Sequence, residues 1–243
     1  MNYYFLLEDS KSFIKILPKW FEYLDFECTR VLNINHVSEN NYVLQSGQGV
    51  IQLVTRILFD TIDIIEQHPN KIDVMVIILD AENESVDSRK QQVLDKISEK
   101  YDIRNLSFEI KIFVCNCCIE TWLLGRVGMY PLPSEAEMSA KNYQYFYKHF
   151  ENHYRHYNVE NADPELMQVP NGRSETKAHY HFNYLHDLCL YNNLIKKEAL
   201  KYSKSRPQIA MEKFYFDDLM ERIDKTEHLK SLKEFIDFLK GVG

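Results

Sequence analysis

Between Val74 and Asp80 the chain reads VMVIILD, six apolar residues in succession and then a carboxylate. A strand with one wet face alternates apolar and polar residues. A run that is apolar throughout must be covered on both faces, which is the position of a central strand in a parallel sheet sandwiched by helices. The flanking sequence follows the same plan. Residues 2–8 read as a strand, and residues 10–24 carry a helical stripe of Phe13, Ile14, Ile16, Leu17, Trp20, Phe21 and Leu24. Pro18 lies inside that stripe and is expected to kink or divide the helix. A second strand is expected over 26–34, a polar loop over 35–49, a helix over 50–68 and a third strand over 71–80. A helix over 86–101, a strand over 106–116 and a short helix over 118–126 complete the pattern. Strand and helix alternating this regularly predict an α/β fold with a mainly parallel sheet and helices on both faces.

After Pro131 and Pro133 the texture changes. Residues 134–157, 175–202, 216–223 and 228–240 have helical periodicity, and no further strand is evident. The expected division is therefore an α/β domain over 1–130 and a helical C-terminal region over 131–243 packed on it. A chain of 243 residues, 45% hydrophobic, is ample for that core. The net charge of −7, from 29 Lys and Arg against 36 Asp and Glu, excludes a strongly basic nucleic-acid-coating protein but not a local basic groove. No apolar run approaches the ~20 residues that span a bilayer. The N-terminal MNYYFLLEDSKS lacks the basic start of a signal peptide, so a cytoplasmic location is expected, with the five cysteines as reduced thiols.

In open parallel sheets functional groups gather beyond the carboxyl ends of the strands. The first strand runs into Glu8 and Asp9. The third runs into Asp80, with Glu82 and Glu84 following. Residues two apart in an extended segment share a side, so Asp80 and Glu82 are expected to face one ion. Glu8 joins them if the first and third expected strands are neighbours. Such oxygen donors suit Mg²⁺ or Mn²⁺. A local reading competes: Asp9 or Ser10 could cap the first helix, and Asn83 or Ser85 the helix after the third strand. Glu120, in CIETWLLG, sits in a first helical turn, where the helix dipole alone favours an acid.

The segments FLLEDSKSFIKIL, VIILDAENESVDSRKQQVL and CIETWLLG, in this order, resemble the motifs of the Toprim family. More narrowly they resemble stand-alone Toprim-like proteins and the Toprim nuclease domain of the OLD (overcoming lysogenization defect) family. The resemblance covers residues 1–126, and YSKSRP with TEHLKSLKEFIDFL is similar to the tail of the stand-alone branch. It implies a Toprim-like, Rossmann-like sheet. It implies Glu8 as general acid/base or metal ligand, Asp80 and Glu82 as the Mg²⁺ pair and Glu120 beside them. Glu84 joins the metal set, with Asp87 a candidate for a second ion. The activity implied is Mg²⁺- or Mn²⁺-dependent phosphoryl transfer, a nuclease acting on DNA or RNA. It would be the effector of a bacterial anti-phage defence system that works with a partner ATPase. This chain has no G-x-x-x-x-G-K-[ST] loop of its own. Two departures bear on catalysis: Glu82 replaces the second aspartate of the family's D-x-D, and Asp9 stands where many members have glycine. The alternative is a non-catalytic Toprim-like binding module. Self-association is left open.

Residues 196–206, KKEALKYSKSR, form the most basic stretch. Lys204 and Arg206 from this stretch, with Lys11, Arg89 and Lys90, are the candidate nucleic-acid contacts, although a solvated helix face has the same composition. Residues 141–157 interleave Tyr and Phe with Lys, His and Arg, which suits base stacking or an amphipathic helix with buried aromatics. His149, His153 and His156 share a helix face and include a zinc-compatible spacing, without an evident further ligand. Cys115, Cys117 and Cys118 have no downstream C-x-x-C and read as a buried strand end.

Overall fold

The computed structural model describes residues 1–130, 157–161, 176–196 and 200–241. Its centre is a five-stranded sheet, every pairing parallel, in the order β2-β3-β1-β4-β5. The strands are β1 (Tyr3–Leu7), β2 (Thr29–Val31), β3 (Asn41–Ser46), β4 (Val74–Asp80) and β5 (Glu109–Cys115). β1 pairs with β4, Leu7 opposite Ile78, so the first and third expected strands are indeed neighbours.

The sheet corrects the sequence reading in two respects. β3 lies within residues 35–49, which were expected to be loop. Its Tyr42, Val43 and Leu44 are buried. The polar Asn41 that disguises its start is turn chemistry: its Oδ1 accepts from the Ser38 N–H at 2.7 Å, and its own N–H donates to Asn2 Oδ1 at 2.9 Å. The strand expected over 26–34 is reduced to three residues, an edge strand that pairs with β3.

Period-two alternation distributes the strands between two hydrophobic layers. Tyr3, Phe5 and Leu7 of β1, with Val74, Val76 and Ile78 of β4, belong to one cluster. Tyr4 and Leu6, with Met75, Ile77 and Leu79, belong to the other. The VMVIILD run is therefore apolar because both its faces are covered. The second layer is completed by α2 (Val50–Gln52), which passes through a π-helical stretch (Leu53–Ile57) into α3 (Leu58–Glu66), and by α4 (Val86–Ser98).

The first layer receives α1 (Phe13–Tyr23), α5 (Ile119–Leu123), α6 (Lys177–Tyr191), α7 (Lys213–Lys225) and α8 (Lys230–Lys240). Its interior is aromatic. Trp122 stacks on Phe235 with ring centroids 5.9 Å apart, and Trp20 meets Phe216 at 5.5 Å. Burying each such ring stabilises the fold by about 1.5–3 kcal/mol. One continuous cluster thus contains residues from both sides of the expected 130/131 division.

α1 runs unbroken past Pro18, which comes at its sixth residue and leaves one carbonyl without its i+4 donor. The helix expected over 134–157 lies outside the described residues apart from Tyr157. Among the described residues no helix is long and apolar enough to cross a membrane.

Candidate active site

β1 stands where the strand order reverses: β3 and β2 extend to one side of it, β4 and β5 to the other. A crevice opens beyond the carboxyl ends at such a point, and Glu8 and Asp80 are the residues found there. The Glu8 N–H continues the ladder to the Ile78 carbonyl at 2.8 Å, and its carboxylate Oε2 turns back to accept the Asp80 N–H at 2.7 Å. Burial raises the Glu8 pKa. The Asp80 N–H opposes that rise and Glu82 adds to it, while Arg89 and Lys204 pull the other way. Asp80 is raised well above the usual carboxylate range, first by burial and then by the charges of Glu8 and Glu120, with Lys204 opposing.

Glu120 enters from α5. It is 0% exposed. Its Oε1 accepts the Tyr202 hydroxyl at 2.8 Å and lies 3.8 Å from Lys204 Nζ. Its Oε2 is buried with no hydrogen-bond partner, a costly arrangement for a carboxylate. Burial works against the charge of Lys204, but Glu120 and Asp80 outweigh it and hold the ammonium above its ordinary pKa. The segment that presents Tyr202 and Lys204 is tied to α1. Lys15 Nζ donates to the Ser205 carbonyl at 2.7 Å, and Trp20 Nε1 to the Ala210 carbonyl at 3.0 Å.

The remaining expected residues are placed differently. Glu82 and Glu84 are exposed. The extended alternation expected to align Glu82 with Asp80 ends at Asp80, because Glu82 adopts φ 55°, a left-handed conformation. Its carboxylate lies 3.9 Å from Arg89, and that of Glu84 accepts from Ser88 Oγ at 3.1 Å. Asp9 caps α1, accepting the N–H groups of Lys11 at 2.6 Å, Ser12 at 2.8 Å and Phe13 at 3.1 Å. Ser85 caps α4 through the Ser88 N–H at 3.0 Å. Both are the local capping roles weighed from sequence.

Of the candidate nucleic-acid contacts, Lys204 faces the acids. Arg89 donates to the Ala81 carbonyl at 3.1 Å, and Lys90 pairs with Glu234 at 2.7 Å. Lys11 and Arg206 are exposed, and Arg206 lines a cleft of about 880 Å³ with Lys201, Tyr202 and Gln208. His149, His153 and His156 lie outside the described residues.

The comparisons with family models, with curated proteins and with solved structures find no match.

Chemically, Glu8, Asp80 and Glu120 are a hard-oxygen set, and the unpartnered Glu120 Oε2 fits a divalent cation. Among the described residues no three carboxylates bring one oxygen each within 4.8 Å of one another. One or two carboxylates would thus bind Mg²⁺ or Mn²⁺ directly and the rest through water, which is the usual state of Mg²⁺.

A second cluster lies behind this site. Cys117, Cys118 and His181 are buried, and one ligand atom from each falls within 4.8 Å of the others. Cys117 Sγ is 4.0 Å from Cys118 Sγ and 3.5 Å from His181 Nδ1. Thr121 Oγ1 lies 2.7 Å from that nitrogen and 3.5 Å from each sulfur. The neighbouring Cys118 thiol pulls the Cys117 pKa down to about 4 against burial, with His181 adding to the effect. Cys118 is itself pushed well above its usual value by burial. The adjacent thiols were visible in the sequence, but their imidazole partner, more than sixty positions away on α6, gives no spacing signal.

Proposed function

We propose that this chain is a Mg²⁺- or Mn²⁺-dependent phosphodiesterase acting on nucleic acid, with Glu8, Asp80 and Glu120 as its acidic set. The observation that carries this reading is the gathering of three carboxylates beside the strand-order reversal, Glu8 and Asp80 partly buried and Glu120 fully buried with an oxygen that no donor meets. Like charges gathered out of water stay ionised together only when a cation joins them.

Asp80 and Glu120 would hold the ion. When bound, it would supply Lewis-acid polarisation of a phosphate oxygen and offset the charge that develops there. Glu8 keeps one oxygen on the Asp80 N–H and has the other for proton exchange with the attacking or leaving oxygen, worth about 10²–10⁴-fold. Its raised pKa moves it toward a working range for that exchange. Lys204 would neutralise a non-bridging phosphate oxygen, and Arg206 would extend the contact along the strand. A Toprim-like nuclease of DNA or RNA, acting in the cytoplasm as a defence effector beside an ATPase, is the finer form of this proposal. The motif order in residues 1–126 supports it.

The test is cleavage of single- and double-stranded DNA and of tRNA with Mg²⁺ or Mn²⁺. Wild type is expected to cut, and Glu8→Gln or Asp80→Asn to lose at least about 10²-fold in rate. Equal rates in folded wild type and both variants would overturn the reading.

A second reading rests on Lys204. An ammonium 3.8 Å from Glu120 already answers part of the negative charge without a metal, as a non-catalytic binding module would need. Mn²⁺ titration separates the two. The enzyme binds the ion and Asp80→Asn weakens it at least tenfold; the binding module shows no saturable uptake.

A further inference from the structure

We infer that Cys117, Cys118 and His181 form a zinc site, distinct from the carboxylate site, that fastens α6 to the turn carrying Glu120. Two thiols and an imidazole nitrogen, all buried, are a soft donor set of the kind that selects Zn²⁺ over Mg²⁺ or Mn²⁺. Zn–S bonds near 2.3 Å and Zn–N bonds near 2.0 Å, arranged tetrahedrally, place the donors about 3.5–3.8 Å apart. The Cys117 Sγ to His181 Nδ1 separation of 3.5 Å matches, and the Sγ–Sγ separation of 4.0 Å needs only a slight contraction. That sulfur separation is also far from a disulfide, whose bond is about 2.05 Å. Thr121 Oγ1, 3.5 Å from each sulfur and 2.7 Å from His181 Nδ1, closes the remaining side, and zinc entry exchanges its hydrogen bond to that nitrogen for the Zn–N bond.

Zinc entry replaces the thiol protons. Two Zn–S bonds and one Zn–N bond form, and the protons still on the two sulfurs leave to solvent without any change of oxidation state. A plain hydrogen-bond network would hold the same side chains with no bound metal and no such proton release. The site joins the turn after β5 to α6, a region that apolar contacts and the Thr121–His181 hydrogen bond already bring together. Because Glu120 is two residues beyond Cys118, the ion would also steady the acid site.

The experiment is elemental analysis of wild-type protein produced with zinc supplied, followed by titration of its five free thiols with a mercurial in the presence of a colorimetric zinc chelator. About one zinc per chain, released as the thiols react, is the expected result. Cobalt substitution should give a sulfur-to-metal charge-transfer band, which Cys118→Ala and His181→Ala each abolish. Wild type without zinc, zinc that survives complete thiol modification, or folded variants that keep their zinc would each overturn the inference. The wild-type titration needs no variant to fold. Zinc is read by the chelator on mercurial-treated protein and Mn²⁺ at the carboxylates by titration of untreated protein, so the two sites are read separately.

Discussion

Asp80 is the residue on which charge, burial and backbone meet. Its folded pKa is raised well above that of an unfolded aspartate, so folding holds on to a proton that the unfolded chain gives up first. Stability is fully present below the ordinary carboxylate range and is lost as pH rises through the raised value. Asp80→Asn removes that loss. In metal-free buffer the variant should melt above wild type at pH 8, and the two should converge near pH 4, by about 2–4 °C for each kcal/mol recovered in a chain of this size. Scanning calorimetry across pH checks it. At this scale the sequence was informative where chemistry follows strand direction. Glu8 and Asp80 were legible because a strand end fixes where the next side chain points. Glu82 was misplaced because a single left-handed residue ends the alternation, and a glutamate gives no warning that it will adopt that backbone.

Among the elements, α8 shows how a helix can borrow its start from elsewhere. Leu229, just before it, is left-handed at φ 53°, and no residue of its own caps the first turn. Glu160, buried on a separate short turn, accepts the Lys230 N–H at 2.7 Å and the Ser231 N–H at 3.0 Å. Ser231 Oγ in turn receives the Trp122 indole N–H at 2.7 Å. Glu160→Ala strands those donors and should cost about 1–3 kcal/mol, read as a lower urea midpoint with an unchanged slope. The amphipathic stripe of α8 is plain in residues 228–240; its distant cap is not, since seventy positions separate the partners. β3 was hidden for the opposite reason: its flanking Asn and Ser residues serve a real turn, and only Tyr42, Val43 and Leu44 of its six residues are apolar.

The whole molecule is organised around one aromatic-rich layer that the C-terminal helices share with the sheet. Residues 1–130 expressed alone would lose part of that layer's cover, including Phe235 and Phe238 over Phe113 and Phe235 over Trp122. The fragment is expected to lose near-ultraviolet circular dichroism and bind a hydrophobic dye, while the full chain unfolds in a single transition. A fragment with a cooperative melt matching the full chain would contradict this. The α/β alternation was readable from sequence because each element carries its own period. That the C-terminal helices pack on the α/β domain was expected too, but not which layer they join, because an apolar stripe announces that something covers it without naming the partner. Tyr202 and Lys204 reach Glu120 only through that docking.

The ammonium of Lys204, 3.8 Å from one oxygen of Glu120 while the other oxygen has no donor, has a thermodynamic consequence for the proposed function. A phosphate that draws the lysine outward vacates room for a divalent ion, and an ion that settles among the acids frees the lysine for a phosphate. Each arrival would then ease the other by the same free energy, so nucleic acid and metal would load cooperatively, and neither affinity would be a constant of the protein alone.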